Sequence, residues 1–225
     1  FMAQLCFLVG KSGMGKSTSG RNLNPEETLW INTDQKALPF KKFGEKYNEK
    51  KGNYIKSSDM PSVMSTLKEA HKNSKIKVIV LDTWTRCMTD AVMHPSFRAA
   101  KGFEKWGKFS ASQYDLINTI NEKLRDDIIV YAICHPETHY DEDGFARERI
   151  SVQGKQLEKY CPESFSSIVL YADIEKAPGK PNRHIFRTVN SGTNTCKTPM
   201  EMFDDELIDN DLTVVTGAIK DYYGI

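Results

Sequence analysis

Five apolar runs of strand length punctuate the chain, at Leu5–Val9, Thr28–Asn32, Lys77–Leu81, Ile128–Cys134 and Ile168–Ile174. The first four lack the alternation of a half-exposed strand, which predicts strands buried on both faces. Helical spacing between them predicts a short helix starting near Lys16, a second from about Pro61 to Asn73, and a third from about Phe109 to Leu124. The third carries Tyr114, Ile117, Ile120 and Leu124 on one side. Strands alternating with helices predict an α/β fold with a mainly parallel sheet covered on both faces. After Cys134 the texture changes. Asp141-Glu142-Asp143-Gly144 reads as a hairpin tip, and Pro178-Gly179-Lys180-Pro181 as a turn before an alternating strand, Arg183–Val189. These predict antiparallel strands added to one edge of the sheet, and Leu212–Tyr223 reads as a closing helix.

At 225 residues, one domain is the expectation: a core over 4–135, hairpin extensions over 136–200 and a helical tail over 201–225. With 39% hydrophobic and 27% charged residues and no long apolar run, the composition fits a globular protein without a membrane span. The N-terminus lacks the pattern of a secretory signal and Phe1 ahead of Met2 reads as an expression remnant, so a cytoplasmic location is expected. Five scattered cysteines without a CxxC pair encode neither a disulfide framework nor a zinc knuckle. A net charge of +1, from 31 basic and 30 acidic side chains, gives no whole-protein attraction to nucleic acid or lipid. The lysine-rich stretch from Lys36 to Lys56 reads as a solvated surface.

Directly after the first apolar run stands Gly10-Lys11-Ser12-Gly13-Met14-Gly15-Lys16-Ser17-Thr18, a full match to GxxxxGK[ST]. Such a loop turns successive backbone N–H groups inward around an anion, which makes residues 10–18 the expected nucleotide-binding segment. Lys16 then reaches the β- and γ-phosphates of ATP, and the Ser17 hydroxyl ligates Mg²⁺. Val78-Ile79-Val80-Leu81-Asp82 supplies the expected second element, an apolar strand ending in a carboxylate that orients the Mg²⁺, through water. Two further strand ends carry polar groups to the same rim: Asp34, a candidate general base, and His135, a candidate sensor of the γ-phosphate.

In the order of these elements the chain resembles the RecA-like P-loop ATPases, and more narrowly the short Sak4-type recombination ATPases of bacteriophages. The likeness rests on Asn32-Thr33-Asp34, Asp82-Thr83, Cys134-His135, Val152-Gln153-Gly154-Lys155 and the hairpin from Arg187 to Lys197. It implies an Mg-ATPase working in a ring or filament, with ATP sandwiched between subunits and Arg187 or Lys197 reaching a neighbour's γ-phosphate. It also implies single-stranded DNA as a ligand, a single-strand-binding protein or exonuclease as a partner, and a bacterial host's cytoplasm. By the same likeness the loop Thr138–Ser151, with Arg147, Arg149, Tyr140 and Phe145, becomes a candidate DNA contact. The family usually carries Glu where this chain has the shorter Asp34, which points to slow hydrolysis or to a base elsewhere.

Three other readings stay open. A loader or assembly factor gated by nucleotide needs little hydrolysis. A nucleotide kinase would use Arg147 and Arg149 in a lid. Lys11 matches the extra lysine of ParA/MinD-like dimeric ATPases, but Ser12 and Asp82-Thr83-Trp84 depart from that pattern. His135 and His139 do not form a zinc pair, because Pro136 breaks any helix that would align them. Trp84 and Trp106 read as packing residues.

Overall fold

The computed structural model describes residues 2–140 and 143–225. Phe1 and the expected tip residues Asp141 and Glu142 lie outside the described residues. In chain order the elements are β1 (Gln4–Val9), β2 (Thr28–Asn32), α1 (Phe43–Lys46), β3 (Tyr54–Lys56), α2 (Met60–Lys72), β4 (Val78–Asp82), α3 (Trp84–Met93), α4 (Pro95–Ala99) and α5 (Glu104–Asn118). Then come β5 (Ile129–Cys134), β6 (Pro136–Tyr140), β7 (Ala146–Ile150), α6 (Lys155–Tyr160), β8 (Ile168–Glu175), β9 (Arg183–Arg187), β10 (Leu207–Asp209) and α7 (Leu212–Tyr223).

Eight strands form one sheet in the order β10-β9-β8-β1-β5-β4-β2-β3. The pairs β1/β5, β1/β8, β4/β5, β2/β4 and β2/β3 are parallel, whereas β8/β9 and β9/β10 are antiparallel. The expected mainly parallel α/β sheet with antiparallel strands at one edge is therefore present. One expectation fails: β6 and β7 do not extend that sheet but pair with each other in a separate two-stranded ribbon.

Period-two alternation splits the apolar runs into two cores. Leu5, Phe7, Val9, Ile79, Leu81, Val130 and Ala132 face the α2, α3 and α5 side, where Val63, Leu67, Met88, Leu116 and Ile117 meet them. Cys6, Leu8, Val80, Tyr131, Ile133, Leu170 and Phe186 face the other side, against Leu212, Val215 and Ile219 of α7. Each large side chain so buried contributes about 1.5–3 kcal/mol.

Two helical expectations are corrected. No α-helix follows the glycine-rich loop; a five-residue 3-10 segment, Thr18–Asn22, stands there instead. Ser, Gly and Asn are poor helix formers, and Pro25 bars the α conformation just before it. Further on, α5 begins five residues ahead of its expected start and ends in a π-turn, Thr119–Lys123. Phe109, Gln113, Leu116 and Ile117 form its buried face, while Tyr114 is 44% exposed.

Side-chain caps fix the starts of three helices. Asp59 accepts from the Ser62 N–H at α2, Thr83 from the Arg86 N–H at α3, and Asp211 from the Thr213 N–H at α7. At the opposite end of the sheet, the Arg125 guanidinium donates to the carbonyls of Ala70, His71, Asn73 and Ile76, closing the C-terminus of α2.

Candidate functional site

The loop Gly10–Ser17 leaves β1 at the C-terminal rim of the sheet, beside the rim ends of β5 and β8. A Cβ on Gly10 would stand 2.8 Å from the Ala172 carbonyl oxygen of β8, so only glycine lets the loop start this close to its neighbour. Gly15 has φ +86°, a left-handed conformation that side chains resist. Lys16 is 6% exposed, and its ammonium donates across the loop to the Gly10 carbonyl at 2.5 Å and the Lys11 carbonyl at 2.9 Å. This bracing holds the loop as an open ring. Burial pulls the Lys16 pKa down to about 8, against the attraction of nearby Asp82.

The rim brings the sequence-predicted groups together. Ser17 Oγ donates to Asp82 Oδ1 at 3.0 Å, joining the end of the loop to the end of β4. Asp82 is 4% exposed, and burial raises its carboxyl to about 6, with the Ser17 hydrogen bond opposing. Asp34, after β2, is held by Lys36 at 3.0 Å, and Thr83 Oγ1 lies at 3.5 Å from its other oxygen. Thr33 Oγ1 accepts the Thr83 N–H and donates to the Thr83 carbonyl, tying the ends of β2 and β4 together. His135, after β5, sits 3.0 Å from Thr85 Oγ1; burial, then Lys16, keeps its pKa below the ordinary value.

Lys16, Ser17, Asp34, Asp82 and His135 line one cleft of about 820 Å³, together with Ser12, Gly13, Gly15 and Thr18. A half-buried hydroxyl and a buried carboxylate 3.0 Å apart are the hard oxygen donors that suit Mg²⁺. The expected nucleotide-binding segment is divided, however. Gly10, Lys11 and Met14 border a second cleft of about 580 Å³ on the β8 side. There Lys11 pairs with Glu148 of β7 at 2.6 Å.

Arg187 also lines that second cleft and pairs with Asp173 at 2.8 Å. Lys197 is exposed and borders neither cleft; its backbone bonds to Val169 of β8. On the ribbon, Tyr140 and Phe145 are 66% and 67% exposed, whereas Arg149 is engaged by Glu137 and Glu158. Trp84 is a packing residue, stacked on Phe7 and donating to Gln113.

The far wall of the main cleft holds residues that sequence reasoning missed: Arg21, Arg183, His184, Asn210 and Asp211. Arg21 donates to the carbonyls of Thr18 and Asn210, and Asn22 to the Asp211 carboxylate, fastening the 3-10 segment to the start of α7. Their one legible signal is Asp211 before an apolar run, a helix-cap pattern that says nothing of a cleft.

This rim, with a glycine-rich loop on β1, a carboxylate ending the next-but-one strand and a parallel sheet between helices, defines a RecA-like P-loop fold. The chain belongs to the AAA_24 family, described as an AAA domain, which matches residues 2–200. No curated protein matches it. Among solved structures it is similar to a KaiC-like protein from the hyperthermophilic archaeon Pyrococcus horikoshii OT3. The TM-score is 0.50 at 15% identity, over 82% of this chain and 77% of that one. At that identity the likeness is one of fold.

Proposed function

We propose that the main cleft binds Mg-ATP and hydrolyses its terminal phosphate, and that the ATPase serves Sak4-type DNA recombination or single-strand annealing. The observation that carries the nucleotide reading is the Ser17–Asp82 hydrogen bond at 3.0 Å, formed in the same cleft as Lys16, Asp34 and His135. Ser17 and Asp82 would hold Mg²⁺, which when bound supplies charge neutralisation to the β- and γ-phosphates. Lys16 neutralises the same phosphates at contact distance, and the loop amides orient them. Asp34 holds the attacking water and accepts its proton, and His135 reports whether the γ-phosphate is present.

Two further observations support the finer reading. Arg187 and Lys197 stand outside their own chain's main cleft, as residues that serve a neighbouring subunit in a ring or filament must. Of the two, Lys197 suits the role better, because Arg187 is tied to Asp173. The ribbon offers Tyr140 and Phe145 as rings on which bases of a single strand stack. A second reading, a nucleotide-gated loader that turns over slowly, is favoured by the Lys36–Asp34 pair, because the Lys36 ammonium occupies the Asp34 Oδ2 that would take the water's proton.

Calorimetric titration of ATP and a steady-state ATPase assay with and without single-stranded DNA test this. Lys16→Ala should abolish ATP binding, and DNA should raise the wild-type rate several-fold. Unchanged ATP affinity in Lys16→Ala sinks the phosphate-loop reading. A rate indifferent to DNA removes the recombination role and leaves the ATPase.

A further inference from the structure

Asn210 stands in the turn between β10 and α7, on the wall of the main cleft. It is 5% exposed, yet its Nδ2 is buried without a hydrogen-bond partner among the described residues. Native folds rarely leave such a donor unmet, because the group loses its water and gains nothing in exchange. Its placement is well determined. Arg21 holds the Asn210 carbonyl at 2.7 Å, and Asp211 caps α7 while binding Asn22. The carboxamide lies against the phosphate loop itself: a Cβ on Gly15 would stand 3.0 Å from Asn210 Oδ1 and 3.3 Å from His184 Nδ1.

The nucleotide's polarity follows from the loop. With the terminal phosphates beside Lys16 and Asp82, the nucleoside leaves over Thr18, and Arg21, His184 and Asn210 share that part of the cleft. The two guanidinium groups there are already engaged. Arg21 is held by two carbonyls and Asp211, and Arg183 by Glu175 and Asp209. Of the side chains left, His184 sets its two ring nitrogens apart and Asn182 is exposed ahead of β9, whereas the buried Asn210 carboxamide carries a donor and an acceptor side by side and can present either by turning about its last torsion. Adenine offers the matching pair at its 6-amino group and N7, whereas guanine offers two acceptors, the pattern an arginine reads.

We infer that Asn210 selects adenine over guanine, its Nδ2 donating to N7 and its Oδ1 accepting from the 6-amino group. The inference rests on the reading of the cleft as a nucleotide site, and the test separates the two. ATP, GTP and inorganic tripolyphosphate, each with Mg²⁺, are titrated calorimetrically into wild-type protein, Asn210→Ala and Asn210→Leu. The wild type should prefer ATP to GTP by about 10- to 100-fold. Both variants should lose that preference while keeping the wild-type affinity for tripolyphosphate; Asn210→Leu keeps the shape and adds no charge while removing both the donor and the acceptor. Equal wild-type affinities for ATP and GTP overturn the inference. So do variants that weaken ATP, GTP and tripolyphosphate by one common factor, since Asn210 would then only prop the loop. A wild type that binds neither ATP nor tripolyphosphate overturns the nucleotide reading together with it.

Discussion

The phosphate loop divides the sheet into two unlike flanks. On one side, β5, β4 and β2 run parallel and end in His135, Asp82 and Asp34, each delivered to the rim by the same device: a buried apolar strand followed by a polar residue. On the other side, β9 is reversed, so it reaches the rim with its first residues, Arg183 and His184, and Asn210 arrives in the turn after a three-residue strand. Direction of travel decides what a strand can place at the rim. A parallel flank offers strand ends, where chemistry against the γ-phosphate belongs. The reversed β9 offers its beginning, and β10, which runs with β1 again, offers the turn after its end; together they form the far wall of the cleft.

The sharpest way to break this division is to ask whether the reversed flank serves its own loop or another subunit's. Inactive Asp34→Ala and Lys197→Ala proteins, mixed in equal amounts, should recover about a quarter of the wild-type rate, the share of interfaces pairing an intact Asp34 with an intact Lys197. Mixtures as inactive as the separate variants place Lys197 outside the reaction. A smaller effect is expected at the seam between the flanks. Gly20 of the 3-10 segment lies under Trp30 of β2, and a Cβ there would come within 2.6 Å of the indole. Gly20→Ala should therefore cost about 1–3 kcal/mol of stability by overpacking, read as a lower urea midpoint.

The smallest effect sharpens the comparison as a control, because it lies at the N-terminal ends of the parallel strands and touches neither flank. Asp127 pairs with Lys77 and with Arg125. Burial alone would raise its carboxyl, but these two cations hold it below the ordinary value of 3.8. A depressed folded pKa means that this stabilisation is fully present above 3.8 and is lost as the pH falls through the lower folded value. With about a third of both side chains exposed to screening, the contribution is about 0.2–1 kcal/mol. Asp127→Asn should flatten the acid limb of the urea-midpoint profile by that much and leave nucleotide affinity unchanged.

How far the sequence could be read follows the same division. The bounds of β2 are those of its apolar run, β1 and β5 differ from theirs by one residue at one end and β4 by one residue at each end, because strands buried on both faces leave unbroken hydrophobic runs. Lys16, Ser17, Asp34, Asp82 and His135 were all legible, being motif residues or strand ends. Arg21, His184 and Asn210 were not, since nothing local distinguishes them: their place depends on a reversed strand and on contacts 189 residues apart in sequence. The 3-10 segment was misread as a helix because P-loops are expected to open one. Helical spacing puts Tyr114 on one side with Ile117, Ile120 and Leu124, yet it packs at the surface against Phe165, because spacing alone does not show how far a buried face extends. The ribbon was assigned to the sheet edge because hairpin spacing reports pairing between its own strands and not where the pair docks.

The short segment after the loop also changes how a nucleotide is gathered. A long helix would project roughly half a positive charge from its N-terminus, whereas a five-residue 3-10 stretch, Thr18–Asn22, projects little. The whole chain adds almost no field of its own, with a net charge of +1. The loop therefore works as a trap of contact range. On the proposed function, nucleotide would arrive by unassisted diffusion, and occupancy would be governed by the residence time that Lys16 and the loop amides impose once it is seated.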